Sequence, residues 1–155
     1  MKKVNVIAIA EELEILPDEW SAFWNKKTGE FRMISGESIV AYEDGVSEDK
    51  YHGDGDFETE MELAAEICKD GSDYLLLPDN CEIGGYKLIE DFVYSISNEK
   101  SKEVLLKAIK GRGAFRKFRD EINNLRLTED WYKYKRDAYV QFVTDWAEEN
   151  HLEIE

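Results

Sequence analysis

The sequence predicts an α+β fold in which a small antiparallel sheet accompanies an N-terminal helix and a C-terminal bundle of about four helices. Bulky residues on both sides of a glycine turn predict a hairpin at about 20–34. Leucines before Pro78 predict an extended segment at 74–77, because proline disfavours helix in the preceding residue. Beyond Pro78, apolar residues recur with a helical period. The 155 residues, 43% of them hydrophobic, fit a single domain over 1–155.

The N-terminal helix and the hairpin follow from local signals. Asn5 can cap a helix, and Pro17 marks its end. Strands are predicted at 20–25 and 31–34, joined by a turn in which Gly29 can adopt positive φ. The apolar residues of the helix follow the i, i+3, i+4, i+7 pattern and are Val6, Ile9, Ala10 and Leu13.

The segment after the hairpin has two interpretations. Ser35 can cap a short helix that Gly45 ends, and a strand at 39–42 is the alternative. Residues 45–57 are rich in glycine and acids and are predicted as a mobile loop. Thr59 and Glu62 form a capping box for a helix that Asp70-Gly71 ends. Its predicted inward stripe consists of Met61, Ala64, Ala65 and Cys68.

The C-terminal bundle is predicted from apolar faces separated by a Gly111–Gly113 break, with Thr128 as the cap of the last helix. Tyr132 and Tyr134 are expected on its surface. The apolar faces consist of Leu88, Ile89, Phe92, Val93 and Ile96; of Val104, Leu105, Ala108 and Ile109; of Phe115, Phe118, Ile122 and Leu125; and of Trp131, Ala138, Tyr139, Phe142 and Trp146.

Charge is distributed unevenly along the chain. The net charge is −15, which disfavours general binding to nucleic acid or an anionic membrane. Residues 100–119 carry eight Lys/Arg and one acid, whereas 37–66 carry eleven acids and one lysine. No apolar run approaches the length of a membrane span, and the apolar stretch after Lys2-Lys3 is too short for a signal peptide. We therefore expect a cytoplasmic protein with reduced cysteines.

The segment with the most candidate binding residues is residues 110–119, called the basic segment below. It contains a Gly-Arg-Gly-Ala-Phe turn and its flanking cations. A glycine can end one helix, and the free N–H groups at the start of the next attract anions. Arginines add planar, charge-assisted contacts to phosphate or carboxylate. The alternative is a plain helix–helix turn with solvated or internally paired arginines. The candidate anion- or partner-binding residues are Lys110, Gly111, Arg112, Gly113, Arg116 and Arg119.

The acidic loop at 45–58 has two further interpretations. Asp54, Asp56, Glu58 and Glu60 alternate as in a calcium loop, but Thr59 stands where the EF-hand glycine belongs, so a solvated charge run is favoured. The loop could instead lie against the basic segment and mask it through salt-sensitive contacts.

Catalytic chemistry has little support in the sequence. His52 and His151 lie near no nucleophile motif. Cys68 and Cys81 lack metal-ligand spacing, and Cys81 is interpreted as a structural thiol. No phosphate loop, zinc motif or nucleophile elbow is present. We therefore predict no cofactor, no metal and, on balance, no enzyme.

The chain resembles the bacterial uncharacterised protein family 0158. The most specific piece is the run at 108–120, which contains Gly-Arg-Gly-Ala-Phe, followed by Trp131-Tyr132 and a helix with Trp146. The resemblance implies a bacterial cytoplasmic origin and a shared α+β fold. It implies no activity and no catalytic residue. Weaker supporting pieces are Thr28-Gly29-Glu30, Leu77-Pro78 and Glu90-Asp91-Phe92.

Three functional hypotheses remain. The preferred one is a non-catalytic binding or regulatory protein that presents the basic segment to an anionic group on a protein or a small ligand. The alternatives are interaction with nucleic acid through the same segment, and a small hydrolase or transferase that uses carboxylates. The oligomeric state is left open.

Overall fold

A three-stranded antiparallel sheet lies at the centre of the fold. In the computed structural model, which describes residues 2–53, 55–69 and 71–155, the strands are β1 (Trp20–Asn25), β2 (Phe31–Ser35) and β3 (Tyr74–Leu76), in the order β2-β1-β3. Trp24 is paired with Phe31 on one side and with Leu75 on the other. The predicted hairpin and extended segment are confirmed, and the protein has an α+β fold.

The two faces of the sheet support two hydrophobic clusters of different size. Alternate residues point to opposite faces of a strand. Ala22 and Trp24 therefore belong to the main core, whereas Phe23 packs against a small cluster of Ile34, Ala64 and Ile67.

The first two helices begin where the sequence predicts. Asn5 accepts a hydrogen bond from the Ala8 N–H at 3.0 Å and caps α1 (Val6–Glu14). Ser35 caps α2 (Gly36–Asp44), and Gly45 follows it in the left-handed conformation, with φ 67°. The helix interpretation of this segment is confirmed, and the strand alternative is wrong. The predicted loop that follows contains a short 3-10 turn over Glu48–Lys50.

The start of α3 (Phe57–Cys68) differs from the prediction. The cap is Asp56, whose side chain accepts hydrogen bonds from the Thr59 N–H at 3.1 Å and the Thr59 hydroxyl at 2.8 Å. The Thr59–Glu62 capping box is therefore wrong. The inward residues are Leu63, Ala64 and Ile67, because these pack against Ile34 of β2, and Cys68 is exposed. Asp54, the helix stop at Asp70 and the Cys81 side chain lie outside the described residues.

The C-terminal helices confirm the predicted bundle. A short helix α4 (Asn80–Ile83) precedes α5 (Gly85–Ser95), α6 (Glu99–Ala108), α7 (Ala114–Asn124) and α8 (Thr128–Glu149). The cap of α8 was predicted incorrectly: Thr128 is its first residue, and Leu127 precedes it without a side-chain cap. Buried residues that hold these helices together include Leu88, Ile89, Phe92, Val93, Leu105, Ile109, Phe118, Ile122, Trp131, Tyr139, Val143 and Trp146.

Helix α8 carries the aromatic residues much as predicted. Trp131, Tyr139 and Trp146 are buried, and Tyr132 is exposed. Tyr134 is an exception, because it is partly buried against Phe92 with ring centroids 5.3 Å apart. The expectation that Tyr134 lies on the surface is wrong.

Candidate functional site

The basic segment forms the connection between α6 and α7. Gly111 and Gly113 both adopt the left-handed conformation, with φ 79° and 72°, as the sequence predicts. Gly113 occupies the N-cap position of α7 and provides no side-chain cap. Since the first N–H groups of a helix lack intrahelical partners, the start of α7 leaves hydrogen-bond donors open toward solvent.

The cations of the basic segment are exposed and form no ion pair among the described residues. Lys110, Arg112, Arg116 and Arg119 are all exposed. Elsewhere in residues 100–119, the Nζ atom of Lys102 lies 3.8 Å from Oε1 of Glu99. The other ion pairs of the described part of the chain join Lys27 to Asp73, Arg32 to Glu30, Lys87 to Asp91 and Lys133 to Asp137.

The acid-rich residues 37–66 and the basic segment lie on opposite faces of the sheet. Helices α2 and α3 pack on each other and on β2, whereas α6 packs on α5 and α7, and α7 also packs on α8. No ion pair joins residues 37–66 to residues 100–119 in the part of the chain that the structure describes. This arrangement gives no support to the masking interpretation.

A cleft of about 1100 Å³ opens beside the basic segment. It lies between the segment from the end of α1 to the start of β1 on one side and α7 with α8 on the other. Of the six predicted site residues, Arg119 lines this cleft and the others do not. The lining consists of Glu14, Pro17, Asp18, Glu19, Trp20, Ser21, Asp79, Gly85, Leu88, Ile89, Phe115, Phe118, Arg119, Ile122, Thr128, Trp131, Tyr132, Lys135 and Tyr139.

The floor of the cleft rests on packed aromatic rings. Phe118 meets Trp131 edge to face with ring centroids 5.0 Å apart, and Phe92 packs against both from beneath. Burial, together with the nearby Glu14 carboxylate, raises the pKa of Tyr139, so its phenol stays protonated at neutral pH. The floor is therefore well packed, largely apolar and uncharged.

Glu19, which lines the cleft, has a strained backbone. Glu19 adopts φ 68°, a conformation that is uncommon for a residue other than glycine. Its carbonyl oxygen accepts a hydrogen bond from the Gly36 N–H at 2.8 Å. A Cβ atom at position 36 would lie 2.9 Å from this oxygen, so the close approach requires glycine. This hydrogen bond ties the strained backbone of Glu19 to the junction between β2 and α2.

Two aromatic residues at the cleft rim have unusual exposure. Phe115 was predicted to serve the core, but it is 55% exposed, whereas Phe118 on the same helix is 2% exposed. Tyr132 on α8 is 54% exposed. The apolar stripe of α7 extends beyond the surface that neighbouring helices cover, so Phe115 lies at the cleft rim. Sequence reasoning missed the role of Phe115 and also missed Lys135, for which the sequence carries no local signal.

The other candidate groups have structural roles or weak reactivity. Hydrogen bonds from the Thr59 hydroxyl and N–H lower the pKa of Asp56, consistent with its role as a helix cap. Partial burial and the neighbouring Glu43 raise the pKa of the Cys68 thiol, which makes it a poor nucleophile at neutral pH. In the described ranges, no group of three or more His, Cys, Asp or Glu residues is placed to hold a metal ion.

The fold and the glycine turn define a class of small α+β proteins that join a three-stranded sheet to a helical bundle. The family model of the uncharacterised protein family UPF0158 matches residues 47–155, so the chain belongs to this family. A UPF0158 protein of Pseudomonas aeruginosa is 25% identical over 67 residues, which are 43% of this chain and 44% of that relative. The aligned region thus spans less than half of that relative. No solved structure gives a significant match.

Membership of UPF0158 confirms the family resemblance and supports a bacterial origin. The family is uncharacterised, so it assigns no function to the basic segment or the cleft. None of the described helices has both the length and the apolar character required to cross a bilayer.

Proposed function

We propose that this chain is a cytoplasmic, single-domain binding protein that presents the basic segment to an anionic group of a partner, without catalysing a reaction. The observation that carries the proposal is the exposure of Lys110, Arg112, Arg116 and Arg119, none of which forms an ion pair among the described residues. In a chain with 35 acids and 20 Lys/Arg, such cations are available for a partner.

The local backbone supports the same interpretation. Gly111 and Gly113 turn the chain sharply and leave the start of α7 without a side-chain cap. Open N–H groups and the positive end of the helix dipole favour an anion at this position. Arg112 lies within the turn and Arg116 in the first turn of α7, and both can supply bidentate contacts to carboxylate or phosphate.

Affinity capture from a bacterial lysate tests the proposal with two double variants. Arg112→Ala with Arg116→Ala removes two cations of the basic segment, and we expect it to lose the proteins that the wild type retains. Lys87→Ala with Lys133→Ala is the matched control, because it removes the same charge from residues that pair with Asp91 and Asp137. The control should retain those proteins.

Circular dichroism and thermal unfolding of both variants separate binding from folding. Equal loss of capture in the two variants would show a general charge effect and contradict the proposal. Unfolding of the Arg112/Arg116 variant would show that these arginines are structural. A parallel mobility-shift assay addresses nucleic acid: phosphate binding would fade between about 50 and 200 mM salt, and we expect no shift even at low salt because the net charge is −15.

A further inference from the structure

Opposite charges occupy opposite walls of the cleft. The carboxylates of Glu14, Asp18 and Glu19 come from the segment between α1 and β1, and Asp79 from the loop after β3, whereas Arg119 and Lys135 come from α7 and α8. No ion pair connects the two walls in the described residues. The charges of the two walls therefore remain separate. Each wall can bind a group of opposite charge on an occupant of the cleft.

The space between the walls is apolar and partly covered. Leu88, Ile89 and Ile122 are buried beneath it, and Trp131 is 9% exposed at its floor. An apolar side chain that enters the cleft would remove its own surface and that of the floor from water, which favours binding.

The rim adds two exposed aromatic side chains on neighbouring helices, Phe115 of α7 and Tyr132 of α8. Aromatic residues with large exposed areas are frequent anchors of protein–protein contacts. A volume of about 1100 Å³ slightly exceeds the range of about 300–1,000 Å³ that is typical of small-molecule sites. The apolar floor, the two exposed rim aromatics and the oppositely charged walls together match several linked side chains of a peptide.

We propose that the cleft binds a peptide segment of a partner protein in which an apolar or aromatic residue is flanked by a basic residue on one side and an acidic residue on the other. The acidic residue contacts Arg119 and Lys135, and the basic residue contacts the carboxylates of the opposite wall. The inference rests on the proposed function through Arg119, which belongs to both the basic segment and the cleft.

Selection from a display library of random short peptides tests this proposal. We expect the wild-type protein to enrich peptides that carry an apolar residue between opposite charges. Gly85→Leu should weaken the affinity of such peptides by about tenfold or more, because the added side chain would occupy the cleft next to Phe115. Gly85→Ala is the matched control, since a Cβ at this position would lie 3.8 Å from the Phe115 ring, an ordinary contact.

A charge reversal tests the orientation of the walls. Arg119→Glu should select peptides in which a basic residue replaces the acidic one, whereas Arg136→Glu, which makes the same charge change on α8 outside the cleft lining, should leave the selected pattern unchanged. Both residues are exposed, and circular dichroism checks that both variants are folded.

Three outcomes would overturn the proposal: equal enrichment by the wild type and Gly85→Leu, selection of peptides of a single charge, or binding of free phenylalanine as tight as that of the selected peptides. Failure of the proposed function is distinguishable from these outcomes. The Arg112→Ala, Arg116→Ala variant tests the basic segment by itself, because neither residue lines the cleft. Retention of the lysate proteins by this variant would contradict the proposed function, whereas the three outcomes above concern the cleft alone.

Discussion

The two faces of the sheet differ in the size of the hydrophobic cluster that lies beneath their charged helices. On one face, 23 described residues form a continuous buried cluster, and the helices that carry the basic segment are attached to it. On the other face, a cluster of three buried residues supports α2 and α3, which bear seven of the eleven acids of residues 37–66. The comparison shows that the basic residues of 100–119 lie on helices anchored by a large core, while the acidic residues of α2 and α3 rest on a small one.

The same comparison explains why the charges do not neutralise each other. Residues 37–66 and 100–119 have opposite local charge, but the sheet and its two hydrophobic clusters lie between them. At physiological ionic strength the Debye length is about 8 Å, so exposed charges on opposite sides of a domain interact weakly. Both surfaces therefore remain available for partners.

Truncation of Phe118 should produce the largest loss of stability. Phe118 is 2% exposed and contacts Phe92 and Trp131, so Phe118→Ala should lower the free energy of unfolding by about 3–5 kcal/mol in urea titrations. Phe115→Ala, on the same helix, is the control and should cost less than about 1 kcal/mol. Equal losses would show that Phe115 belongs to the core, contrary to its position at the cleft rim.

Truncation of Ile67 should destabilise the acidic face selectively. Ile67 is 7% exposed in the small cluster, and Ile67→Ala should cost about 2 kcal/mol, the low end for such changes, because the site is near the surface. Amide hydrogen exchange should accelerate in α2 and α3 while α5 to α8 stay protected.

The matched variant for this comparison is Leu105→Ala in the main core, where Leu105 is fully buried. It should accelerate exchange throughout the bundle. If Ile67→Ala accelerates exchange in α8 as much as in α3, the two faces unfold as one cooperative unit, and the contrast between them has no energetic consequence.

Local chemistry made much of the fold predictable. Asn5 and Ser35 cap helices through their own side chains, and Gly45, Gly111 and Gly113 adopt the positive φ that glycine permits. Each signal lies within a few residues of the backbone that it determines. A local signal fails when a neighbouring residue competes for the same backbone group. Asp56 accepts a hydrogen bond from the Thr59 N–H, so Asp56 is the cap and the predicted capping box does not form.

The cleft could not be predicted, because it depends on which helix surfaces remain uncovered. An apolar stripe indicates the inward direction of a helix but not where the neighbouring helix ends, so Phe115 and Phe118 look equivalent in the sequence. The same limit applies to Tyr51, whose hydroxyl lies 2.8 Å from the hydroxyl of the buried Ser38 and ties the acidic loop to α2. Such contacts between distant residues have no local signature.

Protonation of Asp56 should produce the smallest effect, confined to the acidic face. Because hydrogen bonds from Thr59 lower the pKa of Asp56, its ionised form stabilises the fold above the ordinary pKa of aspartate, about 3.9. This stabilisation is lost as the pH falls through the lowered pKa of the folded state. Asp56→Asn keeps a capping oxygen but removes the titration.

Exchange rates of the α3 amides, measured as the pH is lowered toward the aspartate range, check this prediction. The wild type should protect α3 better than Asp56→Asn near neutral pH, and the difference should disappear in acid. Glu58→Gln removes one charge from the same helical turn without removing the cap, so its difference from the wild type should vary less with pH. A pH-independent difference for Asp56→Asn would assign the role of Asp56 to hydrogen-bond geometry alone, and the acidic face would then not depend on the charge of its cap.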